Sequence, residues 1–89
     1  MISVELIQDR KEREMVFRVE DEEMNYIIKV KEIDGELDYV EIFSTFRDEG
    51  ITICRSFFPA VMKVLNYICT KYFAPPEHLD VEIEKHENE

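Results

Sequence analysis

Residues 51–73, ITICRSFFPAVMKVLNYICTKYF, contain the point at which the spacing of apolar residues changes along the chain. Before this point apolar and polar residues alternate, as in a half-buried strand, whereas afterwards apolar residues recur about every 3.6 positions, as in a helix. Ser56 is a suitable N-cap, and Pro59 is tolerated in a first helical turn because its missing N–H has no partner there. The stretch therefore predicts a strand followed by a helix over about residues 57–73.

Upstream of this change, four more short stretches alternate with a period of two. Polar, turn-compatible segments separate them, and among these Asp34-Gly35 suits a tight hairpin turn with positive φ. We expect Gly50 to play a similar part between the fourth and fifth strands. All of these connections are too short for a parallel crossover. The sequence therefore predicts an α+β fold, in which a five-stranded antiparallel meander is followed by one long helix packed on one face. The predicted strands are ISVELI, EMVFRVE, NYIIKVKEI, YVEIFSTF and ITIC.

The chain changes character again after the predicted helix. The segment APPE ends the helix, because a residue that precedes proline is disfavoured in the helical region. Residues 78–84 then alternate once more, which fits either a short edge strand or a solvated tail. We predict a single α+β domain over residues 1–76 and an acidic C-terminal segment, edge strand or tail, over residues 77–89.

The two periods also predict which residues meet in the core. On the helix, Leu65 and Ile68 lie on the side that we expect to face the sheet. The strand residues that would receive them share one face of the predicted sheet and are Val4, Phe17, Ile28 and Ile42.

The predicted helix is more apolar than packing on a single sheet requires. Apolar side chains cover about half of its circumference, whereas one buried face needs an arc of roughly 100°. The second face of the sheet also mixes apolar residues with its charges. Surplus apolar surface of this kind typically marks an interface, so we predict a homodimer. The alternative is that long Lys, Arg and Glu stems shield scattered apolar residues. The candidate interface residues are Phe57, Ala60, Val64, Tyr67, Tyr39 and Phe43.

The formal net charge of −10 is distributed unevenly. Residues 1–49 carry −8, residues 50–76 carry +3 with no acidic residue, and residues 77–89 carry −5. The overall negative field repels both duplex DNA and anionic membrane, so we predict neither as a partner. A local cationic site in the middle segment remains compatible with this charge.

No targeting or membrane segment is evident in the sequence. No apolar run approaches the roughly 20 residues that a membrane-spanning helix needs. The first fourteen residues, MISVELIQDRKERE, are charged within five positions and lack the apolar region of a signal peptide. We therefore expect a cytoplasmic protein, in the host cytoplasm if the gene is viral.

The titratable residues do not form a catalytic or metal-binding pattern. The acidic residues lie mostly in turns, where hydration keeps them ionised, instead of in pairs with separated pKa values. Cys54 and Cys69 match no zinc spacing, and His78 and His86 both lie in the polar C-terminal segment. We predict no catalytic, cofactor-binding or metal-binding residue, and hence no enzyme.

A second hypothesis concerns single-stranded nucleic acid. Aromatic and cationic side chains interleave on the second face of the predicted sheet, as they do in stacking platforms for single strands. The candidate contacts are Arg18, Lys29 and Lys31. In addition, EGITICRSFFPAVMKVL, residues 49–65, resembles the positive cofactor four type of single-stranded DNA-binding fold, in which a four-stranded sheet leads through a Gly-Ile strand into one helix. The chain differs from that family by its acidic charge, its extra strand and its acidic tail.

These features predict a small, non-enzymatic, dimeric interaction or regulatory protein that binds another macromolecule, a protein in preference to a nucleic acid. An acidic domain of this size can present carboxylates in place of phosphates to a nucleic-acid-binding protein. The alternative is a single-stranded nucleic-acid binder that uses the second sheet face. A small enzyme whose site forms across the dimer interface is a third class, and an acidic surface that serves only solubility is the simplest explanation of the charge.

Overall fold

The alternating stretches of the sequence form strands in the computed structural model, and the 3.6-residue stretch forms a helix. The structure describes residues 2–11, 13–45, 49–73 and 82–85. Within these ranges the elements are β1 (Ser3–Lys11), β2 (Glu14–Glu20), β3 (Asn25–Ile33), β4 (Glu36–Ser44), β5 (Glu49–Cys54), α1 (Phe58–Tyr72) and β6 (Ile83–Lys85).

The strands form one sheet in the order β5-β4-β3-β2-β1-β6. Strands β1 to β5 pair antiparallel with their neighbours in the chain, whereas β6 pairs parallel with β1, with Ile83 opposite Val4. The prediction of an α+β fold with a five-stranded antiparallel meander and one helix is confirmed. Of the alternating residues 78–84, those at 78–81 lie outside the described residues, and the strand occupies Ile83–Lys85.

The two glycines have different roles. Asp34 and Gly35 have φ values of 52° and 79°, so the predicted tight turn between β3 and β4 is confirmed. Gly50 lies within β5, where it pairs with Phe43 of β4. The prediction of a turn role for Gly50 was wrong, because its missing side chain allows a close approach between two strands instead of a sharp change in direction.

The core is thin and lies mainly on one side of the sheet. Strand register places Leu6, Phe17, Ile28 and Ile42 in one cross-strand row, and we call the face that carries this row the first face. Among the described residues, those that are buried on the first face are Leu6, Val40, Ile53 and Ser44. The opposite side, which we call the second face, contributes Val16.

The helix contributes less to this core than the sequence predicts. None of the 15 residues of α1, all of which the structure describes, is buried. Leu65 is 47% exposed and Ile68 is 42% exposed, so their assignment to the core was wrong for a single chain. Phe58, Val61 and Cys69 are half-buried and lie on one narrow side of the helix. The helix therefore packs on the sheet through that side alone.

The start of the helix also differs from the prediction. The N-cap position is Phe57, with no side-chain cap, and Ser56 lies in the preceding turn. The amide of Phe57 donates to the carbonyl of Cys54 at 3.0 Å, and the amide of Phe58 donates to the carbonyl of Arg55 at 3.3 Å. Backbone carbonyls of the turn thus satisfy amides that a serine N-cap would otherwise serve. Ser56 as the N-cap was wrong.

Replacement of Gly50 should disrupt the pairing of β4 with β5. A Cβ atom at Gly50 would lie 2.6 Å from the Cβ of Phe43 and 2.9 Å from the carbonyl oxygen of Ile42, so the two strands would have to move apart. We expect Gly50→Ala to lower the free energy of unfolding by about 1–3 kcal/mol, the usual cost of overpacking. Urea denaturation at a fixed protein concentration measures this loss, and hydrogen exchange of the β4 and β5 amides locates it.

Gly35→Ala is the matched control, since no atom lies within 4 Å of the added methyl group. Its cost should come from the positive φ of the turn alone, about 1–2 kcal/mol, and exchange should rise in the turn between β3 and β4. An effect of Gly50→Ala that is absent, or that is confined to the same turn, would contradict the assigned role of Gly50.

Candidate functional site

The outer side of α1 carries large apolar side chains that are highly exposed in the single chain. Phe57 and Tyr67 are each 66% exposed, and Val64 and Ala60 are exposed beside them. At about 100° per residue these four positions lie within one arc, on the side of the helix away from the half-buried residues. We call this surface the outer helix face. It contains four of the six predicted interface residues.

The other two predicted interface residues lie elsewhere. Tyr39 and Phe43 project from the second face of the sheet, where both are half-buried. The ammonium group of Lys29 lies 5.5 Å from the centre of the Phe43 ring, within the range of a cation–π contact. The structure thus brings together Phe43 and one predicted nucleic-acid contact, but it leaves the sheet and helix candidates on separate surfaces.

Arg18 is held by carboxylates on the second face. Its Nη2 lies 3.0 Å from Oε1 of Glu5, and its Nε lies 3.4 Å from Oε1 of Glu20. The hydrogen bond that Arg18 donates to Glu5 is the largest cause of a rise in the pKa of Arg18 above its ordinary value, and the negative charges of Glu5 and Glu20 add to it. The guanidinium therefore has little freedom to turn towards a phosphate.

The two lysines among the predicted nucleic-acid contacts, Lys29 and Lys31, also face acidic neighbours. Lys29 lies opposite Glu41 of β4, and Lys31 lies opposite Glu14 of β2. Opposite charges at directly facing positions attract and offset one another. Among the described residues, each predicted nucleic-acid contact thus has a carboxylate beside it, so the second face has no surplus of positive charge.

The structure adds an apolar surface that the sequence interpretation missed. Met24, Tyr26 and Ile51 are exposed at one end of the first face, and Ile51 is 60% exposed. With Ile42 and Ser44 they line a depression of about 540 Å³, and a smaller one of about 100 Å³ adjoins it at Met24 and Tyr26. We call Met24, Tyr26 and Ile51 the first-face patch.

The dimensions of the elements explain why this patch is uncovered. A helix of 15 residues is about 22 Å long and 10 Å wide. Five strands of up to nine residues form a face about 24 Å by 30 Å. The helix therefore covers roughly one third of the face. This comparison of sizes was available from the sequence, but the sequence interpretation did not make it.

Acidic side chains surround the first-face patch. Glu20 and Asp21 line the smaller depression, and Glu49 lines the larger one. The Asp21 carboxylate accepts hydrogen bonds from the amides of Glu23 and Met24, both at 2.8 Å. These bonds hold the pKa of Asp21 below its ordinary value of 3.8, so the turn between β2 and β3 carries its negative charge close to the patch.

The described residues offer no assembled metal or redox centre. His, Cys, Asp and Glu side chains nowhere gather among them in a group of three or more that could hold a metal ion. Cys54 is exposed and Cys69 is half-buried, and both are free thiols. His78 and His86 lie outside the described residues. In the described part of the chain, no helix combines the length and apolarity needed to cross a bilayer.

No protein-family model, curated protein or solved structure matches this chain.

The second face should bind single-stranded DNA only weakly, because a carboxylate lies beside Arg18 and opposite each of Lys29 and Lys31 in the strand register. At low salt we expect Lys29→Glu with Lys31→Glu to abolish any retention of an oligonucleotide, with a gentle salt dependence since few phosphates are contacted. Fluorescence anisotropy measures both. Lys63→Glu with Lys71→Glu is the matched control, since this double variant changes the net charge by the same amount but on the helix instead of the sheet. Equal loss in both variants, or tight sequence-selective binding of duplex DNA by the wild type, would contradict this prediction.

Ionised Asp21 should order the turn between β2 and β3. Because the pKa of Asp21 is lowered in the folded protein, this stabilisation is present above its ordinary value of 3.8 and is lost as the pH falls through the lowered value. The amide shifts of Glu23 and Met24, followed by NMR, should report the transition. Glu23→Gln should leave the midpoint of this transition unchanged, whereas Asp21→Asn should remove the transition. A transition at or above pH 3.8 would show that these hydrogen bonds do not form.

Proposed function

We propose that this chain is a small, non-enzymatic, homodimeric interaction protein that acts in the cytoplasm by binding another macromolecule, a protein in preference to a nucleic acid. The observation that carries the proposal is the exposed apolar surface of α1 in the single chain.

The exposed residues of α1 are unusually apolar for a surface helix. The large apolar side chains of the helix and its ends that are exposed in the single chain are Phe57, Met62, Val64, Leu65, Tyr67, Ile68, Tyr72 and Phe73. A helix whose apolar surface extends well beyond one face is normally buried on more than one side. Burial of one such side chain stabilises by about 1.5–3 kcal/mol, so several of them together favour association strongly.

The helix also needs external packing for its own stability. Isolated helices of about 12–15 residues are marginal in water, and most helical stability in proteins comes from tertiary contacts. Helix α1 has 15 residues, and four of them, Val61, Val64, Ile68 and Thr70, are β-branched. Its single narrow contact with the sheet provides only part of the packing it needs. A second protein chain is the simplest source of the rest.

The charge of the chain favours a protein as the further partner. The net charge of −10 repels polyanions at long range. Short-range attraction on the second face is offset because carboxylates lie beside Arg18, Lys29 and Lys31. A basic surface on another protein meets neither obstacle, and the acidic residues of the sheet would then contribute to steering.

The dimer should become tighter between low and moderate ionic strength. Two chains of −10 each repel one another, and salt screens this repulsion beyond a Debye length of about 10 Å at 0.1 M. Apolar contacts are not weakened in this range, so the dissociation constant should fall. Sedimentation equilibrium across a salt series measures it. A monomer at every salt concentration, even at high protein concentration, would contradict the proposal.

The class of the further partner is tested separately. The tagged protein is used for capture from a native lysate, with and without nuclease. A partner protein that is retained after nuclease treatment and that binds the purified chain directly supports the proposed role. Capture that disappears with nuclease would instead favour the single-stranded nucleic-acid alternative, for which the Lys29–Phe43 contact is the supporting observation.

A further inference from the structure

Two separate apolar surfaces are exposed in the described chain, and a dimer in which the two helices pack on each other would cover only one of them. The outer helix face lies on α1, whereas the first-face patch lies at one end of the sheet. An arrangement in which one surface covers the other removes both from water. Such an arrangement is favoured by the area that it buries.

Charge discriminates between the two arrangements. The charged residues of α1 are Lys63 and Lys71, both basic. Packing two copies of α1 together brings like charges near one another, which opposes that arrangement. The first-face patch is bordered by Asp21 and Glu49, so its rim is complementary to the helix.

We propose that the outer helix face of each chain docks on the first-face patch of a second copy, in a reciprocal twofold dimer. In a twofold interface a residue of the first copy that contacts a residue of the second is matched by the same contact in reverse, so both patches are covered at once. This inference rests on the proposed homodimer and specifies its interface.

The depression is large enough for this occupant. At about 540 Å³ it lies within the range of about 300–1,000 Å³ that is usual for sites holding a small molecule. A single large side chain, such as Tyr67 or Phe57, fits in such a space. Tyr67 is also contacted by Lys71, whose ammonium group lies 6.0 Å from the ring centre. A tyrosine that enters the depression would therefore bring a cation to its acidic rim.

The test uses charge exchange between the two surfaces of the full chain. Val64→Glu places an acid on the outer helix face, and Ile51→Lys places a base on the first-face patch. Each variant alone should raise the dissociation constant of the dimer at least about 30-fold, as expected for a central interface residue. Mixed in equal amounts, the two variants should form a heterodimer at least about tenfold tighter than either homodimer, because one contact is unchanged and the other pairs opposite charges. Native mass spectrometry and sedimentation velocity distinguish these species.

Matched controls change charge on the same elements but away from the proposed contact. Asn66→Glu lies on a different side of α1, and Thr52→Lys lies on the second face of β5. Each should change the dissociation constant by less than about threefold. Circular dichroism checks the fold of every variant. If Val64→Glu or Ile51→Lys fails to fold, Tyr67→Glu and Tyr26→Lys test the same two surfaces.

The outcomes separate this inference from the proposed function. If helix variants break the dimer while patch variants leave it intact, the helices pack on each other and the inference is overturned although the dimer stands. If both classes break the dimer and the mixture shows no preference for the heterodimer, the two surfaces do not meet and the inference is also overturned. If the wild type is monomeric, both this inference and the proposed dimer fail.

Discussion

The apolar surface of α1 is larger than the surface that its own sheet covers, and the proposed behaviour of the protein depends on this imbalance. Of the 15 residues of α1, only Phe58, Val61 and Cys69 are half-buried, whereas Phe57 and Tyr67 on the other side of the helix are largely exposed. Because exposed apolar area carries a cost in proportion to its extent, a chain with this helix is expected to associate. The helix is also too small to cover the whole first face, so the end of the sheet that carries the first-face patch stays uncovered. The chain therefore exposes two apolar surfaces.

The charged residues show how tertiary neighbours change the meaning of a sequence pattern. In the sequence, Arg18, Lys29 and Lys31 form a cationic strip among aromatic residues, which is typical of surfaces that bind single strands. In the sheet, Arg18 is paired with Glu5 and Glu20, and the two lysines face carboxylates on neighbouring strands. The acidic turn that contains Asp21 shows the reverse case. From the sequence we expect a solvated connection with no functional part, but in the fold this turn borders an exposed apolar patch.

The two glycines mark a limit of local reasoning. Gly35 follows Asp34 between two alternating stretches, and positive φ at both positions is what a tight hairpin turn needs, so neighbouring residues alone predicted it. Gly50 follows a polar segment in the same way, yet it is a strand residue whose lack of a side chain accommodates Phe43 on the next strand. That requirement comes from a residue on another strand, and only the register of the sheet reveals it.

The sequence by itself determined the types and order of the elements, because the period of apolar residues is a local property that strand and helix geometry impose on each segment. It therefore predicted the meander, the helix and the outer helix face. The tertiary structure decided which faces meet. It left Leu65 and Ile68 exposed, placed β6 parallel to β1 and assembled the first-face patch from β3, β5 and the preceding turn. These outcomes depend on strand register and on how the helix lies on the sheet, and residues far apart in the chain set both.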